Sequence, residues 1–454
     1  MIFSSYLKRA LKMAFLLKLC VAQQILSSVA IRSVVKILLR LDLERKISFF
    51  RASIIVGGLL VFSGPWEAQA DSTDTSSQYS VIESFQVHGF LSQAVVNTSD
   101  NRWFGDSPDT SYAFTEAALN GSARILPQLL ISGQVLLRQA GDMYDGSPSL
   151  DYALADLTFA STLHYRLGVR GGRIKNPFGL YNETRDVPFT RPGIFLPQVV
   201  YFDRVRNLVL SSDGMMAYAD TFQDYGDVSL IVGGGWPVMD ENVEWSYLGA
   251  DFPGDLESDS PLIVGRLWYS SPNASFNMGL SGTALRMRFD PDVGAPFTLS
   301  SGTTDIFYWI ASLQYNLELW TISAEYMRQP IEWRDYGEFF PEQDLTSEGW
   351  YIQAQYRAHP QFELMMRWEE GYADSGDRDG TQIDRLTGGA ITAYSRYSKI
   401  FTAGARFDIN QNWMVRAEYS YHDGTFILSP RENPIPRDQE KYWHAVSFLL
   451  AFRF

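Results

Sequence analysis

Period-two alternation of apolar and polar residues, repeated from residue 86 onward, is the feature that most restricts this chain. Trp350, Ile352, Ala354 and Tyr356 interleave with Tyr351, Gln353, Gln355 and Arg357. Phe362, Leu364, Met366 and Trp368 interleave with Glu363, Met365, Arg367 and Glu369, and Trp413, Val415, Ala417 and Tyr419 with Met414, Arg416, Glu418 and Ser420. Such a period places each set on its own face of a strand, and no long window carries a helical period instead. The expected class is all-β. A soluble sandwich would also alternate, but it would bury its aromatic face and rarely carry Trp or Tyr at both ends of successive segments. Amphipathic rings at both ends of an apolar strand face are what the two water–lipid interfaces of a transmembrane antiparallel β-barrel select.

Composition agrees and removes other classes. Of 454 residues, 46% are hydrophobic and 14% aromatic (24 Tyr, 29 Phe, 12 Trp), yet the mean hydropathy is only −0.13. A disordered tail would lack this apolar fraction, a disulfide scaffold would need more than one Cys, and a formal charge of −14 argues against a nucleic-acid partner.

Ahead of the strands, Lys46 and Arg51 precede an apolar run over 52–62, then Ser63, Gly64, Pro65 and Ala68-Gln69-Ala70. This reads as an export segment over 1–70 with a signal-peptide core at 46–70, cleaved after Ala70. The run is too short to span a bilayer, and no later stretch reaches the roughly 18 uncharged apolar residues of a membrane helix. Residues 1–45 are either an extended basic lead or sequence upstream of a later start, near Met13 or beyond. Cys20 falls in the removed part, and Lys18 and Leu19 before it do not suit a lipoprotein site, so no thiol chemistry is expected after export. Removing residues 1–70 leaves 28 Lys/Arg against 49 Asp/Glu, a charge of −21, with Lys175, Lys399 and Lys441 the only lysines.

After a short periplasmic segment, 71–85, the barrel is expected over 86–454. Short turns at 126–128, 161–164, 223–227, 271–274, 316–318, 358–361 and 409–412 alternate with long loops at 98–113, 140–151, 175–207, 236–260, 288–303, 329–347, 372–394 and 423–440. Seven turns and eight loops join sixteen strands, with short periplasmic turns and long extracellular loops. In the last strand Tyr442, His444, Val446, Phe448, Leu450, Phe452 and Phe454 share a face, and pairing it with the strand near 86–97 would close the sheet.

A cleaved signal, sixteen strands and a terminal aromatic strand ending in Phe454 together resemble the Gram-negative outer-membrane porins over essentially all of 71–454. The resemblance implies a homotrimer in the bacterial outer membrane, surrounded by lipid and lipopolysaccharide. It also implies a C-terminal strand read at Phe454 by the barrel assembly machinery, and a third loop folded into the lumen as the constriction. Gly172-Arg173-Ile174-Lys175-Asn176-Pro177-Phe178-Gly179 is similar to a Gly-Arg-x-Lys-x-Pro-Phe-Gly stretch of the phosphate-selective (porin O and P type) porins. Those porins lean on lysines, whereas Lys175 alone stands near this constriction.

A barrel of this size leaves an aqueous channel, so function should lie in what narrows it. Loop three, 175–207, offers Lys175, Arg185, Arg191, Arg204 and Arg206 against Glu183, Asp186 and Asp203, and alternation puts Arg124, Arg138, Arg166 and Arg170 on the lumen side with Glu116, Asn120, Ser132 and Gln134. Arg stays charged and offers a planar fork to carboxylate or phosphate. Three uses remain open: bracing the loop against acids such as Asp156, a basic permeation wall, or a dedicated phosphate site. Loop four carries Asp240, Glu241, Glu244, Asp251, Asp255, Glu257 and Asp259 without Lys or Arg, either a solvated loop, a cation-attracting mouth or a divalent bridge to lipopolysaccharide. Asp374, Asp377 and Asp379 do not have EF-hand spacing, and His88, His164, His359, His422 and His444 show no metal-ligand spacing.

The leading expectation is a porin for passive diffusion of small hydrophilic solutes or ions, with no cofactor, no metal and no catalysis. The alternative is a structural or interaction barrel with a blocked lumen. A hydrolase, the third reading, would need a Ser and His at one rim, where His164 and His444 are the candidates.

Overall fold

The computed structural model describes residues 85–295, 298–338 and 340–454. The export segment, its cleavage after Ala70 and the stretch up to residue 84 lie outside the described residues. The strands are β1 (Phe85–Thr98), β2 (Ser111–Leu126), β3 (Leu129–Ala140), β4 (Tyr144–Ser161), β5 (Tyr165–Lys175), β6 (Ser211–Gln223), β7 (Gly226–Pro237), β8 (Gly254–Ser258) and β9 (Leu262–Ser270). They continue as β10 (Phe276–Pro291), β11 (Gly302–Asn316), β12 (Trp320–Arg334), β13 (Gln343–His359), β14 (Phe362–Tyr372), β15 (Tyr397–Asp408), β16 (Trp413–Gly424) and β17 (Tyr442–Arg453). Short helices α1 (Arg206–Leu210), α2 (Glu241–Leu248) and α3 (Thr381–Leu386) lie in the long connections. Among the described residues no helix is long and apolar enough to cross a membrane.

Every strand pairs antiparallel with its neighbours, and β1 pairs with β17 from Phe90↔Arg453 to Thr98↔Ala445, so the sheet closes on itself. β8 and β9 both pair with β10, at Met287↔Ser258 and at Ala284↔Ile263, so they are two halves of one strand. The break falls at Pro261, which has no N–H for the ladder. The wall is therefore a closed sixteen-strand barrel. At the seam the backbones of Gly89 and Phe454 exchange hydrogen bonds of 3.2 and 3.1 Å. A Cβ at Gly89 would stand 2.6 Å from the Phe454 ring and 2.9 Å from the Ala118 carbonyl oxygen, so a larger residue there would push the terminal ring aside.

The outer face explains the alternation. Leu119, Ile131, Leu230, Leu280, Ile352 and Leu450 are exposed large apolar side chains, which suits lipid and not water. Aromatic pairs mark both ends of the apolar band: Trp320 and Tyr356 (4.5 Å between rings) and Trp413 and Phe452 (4.8 Å) at the short-turn end, Trp309 and Tyr326 (5.5 Å) toward the other.

Two expectations differ from what is found. The connection foreseen over 140–151 is mostly strand, because Leu136↔Ser149, Leu137↔Pro148 and Gln139↔Asp145 extend the β3–β4 ladder and leave only 141–143 as the turn. The Gly and Pro that suggest a loop there serve a left-handed turn at Gly141 (φ 56°) and a register shift beside Pro148. The second difference is inside. The lumen face is largely apolar in its loop-side half, where Ile231, Leu262, Leu285, Ile306, Ile310 and Met327 form one contiguous core with side chains of the loops.

Candidate functional site

The chain leaves the wall at Asn176-Pro177, where proline ends the ladder, and does not rejoin it until Ser211. Residues 176–210 form loop three, and its contacts fall on the inward positions of strands around the barrel. The first anchor is Glu325 of β12. One carboxylate oxygen accepts from the Leu180 N–H (2.8 Å) and Ser312 Oγ (2.6 Å); the other accepts from Tyr201 Oη (2.6 Å) and Tyr351 Oη (2.8 Å). The Gly179 N–H donates to Ser281 Oγ at 2.9 Å. Gly179 has φ 61°, and a Cβ there would lie 2.2 Å from the Tyr201 hydroxyl oxygen, so the approach requires glycine.

The second anchor is ionic. Arg191 donates both terminal nitrogens to Glu116 of β2 (2.6 and 3.3 Å), and Arg138 of β3 spans Glu116 (3.3 Å) and Asp203 (2.9 Å). Arg185 adds a 3.4 Å contact to Asp203, and all of these groups are buried. Lys175 lies between Asp151 (2.8 Å) and Asp186, and Arg206 of α1 pairs with the same Asp186. Burial, then the neighbouring Arg138 and Arg185 charges, pulls the Arg206 guanidinium down to about 9, and burial also lowers Arg185.

Between the anchors the loop backbone is gripped from the wall. Arg406 donates to the Phe189 carbonyl (3.1 Å), Arg416 to that of Arg191 (2.5 Å), Arg367 to that of Phe195 (3.2 Å), and Tyr308 Oη to that of Val200. Glu418 and Glu369 accept from the Phe195 and Val199 N–H groups at 3.4 Å each. Phe195 stacks on Phe104 (4.9 Å, 11°) and meets Trp103 and Phe114, joining loop three to loop one, 99–110. Every residue from 191 to 203 is buried.

The outer loops close over this floor. Arg204 donates to the carbonyls of Phe426 and Leu428 in loop eight, 425–441, and burial lowers it to about 10. Glu432 of that loop accepts from the N–H groups of Phe104 (3.1 Å), Gly105 (2.6 Å) and Asp142 (3.1 Å), and burial raises its carboxyl. Asp240 of loop four accepts from Asn207 (2.7 Å) and caps α2 at the Val243 N–H (3.1 Å); burial raises it as well.

The sequence-selected residues thus divide. Lys175, Arg185, Arg191, Arg204, Arg206, Asp186, Asp203 and Arg138 are gathered into the anchorage. Glu183, a third exposed, meets Arg266 of β9 at 2.5 Å. Arg166 and Arg170 form a separate inner-wall group: Arg166–Asp220 (2.8 Å) and Arg170–Asp156 (3.0 Å), with Tyr218 between them donating to Asp156 (2.8 Å). Their side chains keep 48% and 26% exposure, beside a loop whose own cations are almost fully buried. Arg124 lies apart from both groups, donating to the Pro127 carbonyl at a short turn (3.1 Å). His444 meets the Tyr419 hydroxyl (2.7 Å) on the outward face, and His164 sits in an exposed turn. Among the described residues no three His, Cys, Asp or Glu side chains converge as metal ligands.

Glu325, Tyr201, Arg367, Glu369, Arg416 and Glu418 carry the anchorage without having been singled out from sequence. The available signal was a charged residue on the inward face of a strand whose other face is apolar, as with Glu325 between Ala324 and Tyr326.

No protein-family profile and no curated protein matches the chain. Solved structures do match its shape. The outer-membrane expressed OmpT of Vibrio cholerae aligns with TM-score 0.50 and 12% identity, over 82% of this chain and 97% of that one. OmpF of Salmonella typhi, in complex with daunomycin, gives 0.50 and 13% over 82% and 97%. OprB of Pseudomonas putida gives 0.50 and 10% over 82% and 95%. The fold is that of the outer-membrane porins. The porin-like barrel and its lipid-facing band make the molecule an outer-membrane barrel.

Proposed function

We propose that the protein is a porin-type channel of restricted conductance that passes small hydrophilic solutes or ions passively beside loop three. The observation that carries this reading is the Arg166–Asp220 and Arg170–Asp156 group, which stays partly water-exposed on the inner wall where the loop-three cations are buried. Paired charges of both signs along a wet wall replace part of a solute's hydration without trapping it. Lys175, Arg185, Arg191, Arg204 and Arg206, with Glu183, Asp186 and Asp203, then set the size of the constriction by holding the loop, and Arg138 belongs with them. A homotrimer, lipopolysaccharide contact and recognition of the terminal strand at Phe454 by assembly machinery belong to the same reading and rest on the porin-like layout.

A blocked barrel is the second reading, and the burial of every residue from 191 to 203 favours it. Planar-bilayer recordings on the purified protein separate the two. Stable steps well below those of an open sixteen-strand barrel support restricted permeation; absence of any step, with steps appearing once Arg191→Ala loosens the loop, establishes a plug.

A further inference from the structure

Lys175 ends β5, and its ammonium is set between two carboxylates. Asp151 Oδ2 of β4 lies at 2.8 Å, and Asp186 Oδ2 of loop three accepts its hydrogen bond. Arg206 of α1 stands against the other oxygen of Asp186, Oδ1. Gln134 Nε2 donates to Asp151 Oδ2 at 2.7 Å, and among the described residues Asp151 Oδ1 meets no hydrogen-bond donor. All four charged side chains are buried. The cluster is neutral, two cations against two anions, and it sits where loop three leaves the wall.

The choice of lysine is the anomaly. After residue 70 only Lys175, Lys399 and Lys441 are lysines, and the other buried cations that hold loop three, Arg138, Arg185, Arg191 and Arg206 among them, are arginines. For a plain ion pair between two carboxylates a guanidinium offers more donors in a fixed fork. What lysine offers and arginine does not is a nitrogen that, once desolvated, gives up its proton and becomes a nucleophile.

We propose that Lys175 and Asp186 condense in the folded barrel to an isopeptide bond that staples the root of loop three. Asp151 accepts a proton from the ammonium, and the freed amine lone pair attacks Asp186 Cγ. Arg206 faces the carboxyl oxygen on which negative charge grows. The Cγ–Oδ2 bond breaks, and that oxygen leaves as water with two of the three ammonium protons, the third staying on the amide nitrogen. No oxidant, reductant or co-reactant enters. Condensation replaces two buried opposite charges, each costly to desolvate, by one neutral amide, and Arg206 with Asp151 keeps the cluster neutral. Contact in the folded site supplies the effective concentration that the same condensation lacks between free groups in water. The bond joins residues 11 apart in sequence and is independent of whether the lumen conducts.

Mass spectrometry of the barrel purified from outer membranes tests it. After denaturation and chymotryptic digestion, a branched peptide should join the fragment ending at Phe178 to the one ending at Phe189, lighter than the two together by one water. Intact masses give a second reading in which the shared N-terminus cancels. Lys175→Arg, which keeps the ion pair and cannot condense, should exceed wild type by the Lys-to-Arg increment plus one water. Chain taken straight from inclusion bodies into urea should show no branch, because the bond needs the folded site. Separate fragments from the folded wild type overturn the bond and leave a buried ion pair. A branch from Lys175 to Asp151 overturns Asp186 as the acyl donor, and a branch in the never-folded chain overturns the folded cluster as its source.

Discussion

Loop three is held at two places by different physics. At Glu325 a single carboxylate is satisfied by two tyrosines, a serine and a backbone N–H, with no cation in the set. At Glu116 a carboxylate faces two buried guanidiniums, and one of these shares Asp203 with a third. The first anchor needs an acceptor of the right shape. The second needs the negative charge itself, because buried guanidiniums without a counter-charge are far costlier than an unmet hydroxyl. One loop thus combines a tolerant fastening with an intolerant one.

The largest expected effect follows directly. Glu116→Gln or Glu116→Ala strands Arg191 and leaves Arg138 to share Asp203 with Arg185, and should cost about 3–5 kcal/mol, read as a lowered urea midpoint in detergent. Glu325→Gln keeps an acceptor for the tyrosines, which can rotate, and should cost about 1–2 kcal/mol in the same assay. Equal losses at the two positions would erase the distinction between the anchors. Third, in a conducting barrel, Arg166→Ala with Arg170→Ala should move the reversal potential toward cations while changing stability by no more than about 1 kcal/mol, since both pairs are partly exposed. An unmoved potential assigns these arginines to bracing.

The smallest effect concerns pH at the outer cap. Burial raises the Glu432 carboxyl, so the folded protein holds that proton more tightly than the unfolded chain does. Its favourable contribution is complete at acid pH and is lost as pH rises through the elevated folded value. Amide exchange over 425–435, corrected for intrinsic rates, should therefore show greater protection in mild acid than above neutrality. The opposite order would mean that the three N–H donors outweigh burial at Glu432.

Much of the wall was legible because lipid and lumen impose period two. The faces assigned to Trp350/Tyr351 and Trp413/Met414 are the outward and inward ones, and the closing pair β1–β17 joins the strands expected to meet. The candidate site was legible as a list of charges and not as a set of partners. Arg191 and Glu116 are 75 residues apart, and Leu180 and Glu325 are 145 apart, so no local spacing announces either contact. The apolar half of the lumen was hidden for a related reason. Ile306 and Ile310 point inward while Phe307 and Leu313 point outward, and where both faces of a strand are apolar the alternation carries no information about which is wet.

The anchors also fix an order of events. Loop three leaves the chain near residue 176, yet its grips at Ser281, Glu325, Arg367 and Glu418 come 100 to more than 200 residues later. The segment emerges long before the surfaces that seat it, and its many long-range contacts belong to the slow class of folding topologies. Seating and closure of the β1–β17 seam should therefore be one late, cooperative step, with the loop acting as the mandrel around which the second half of the wall is wound.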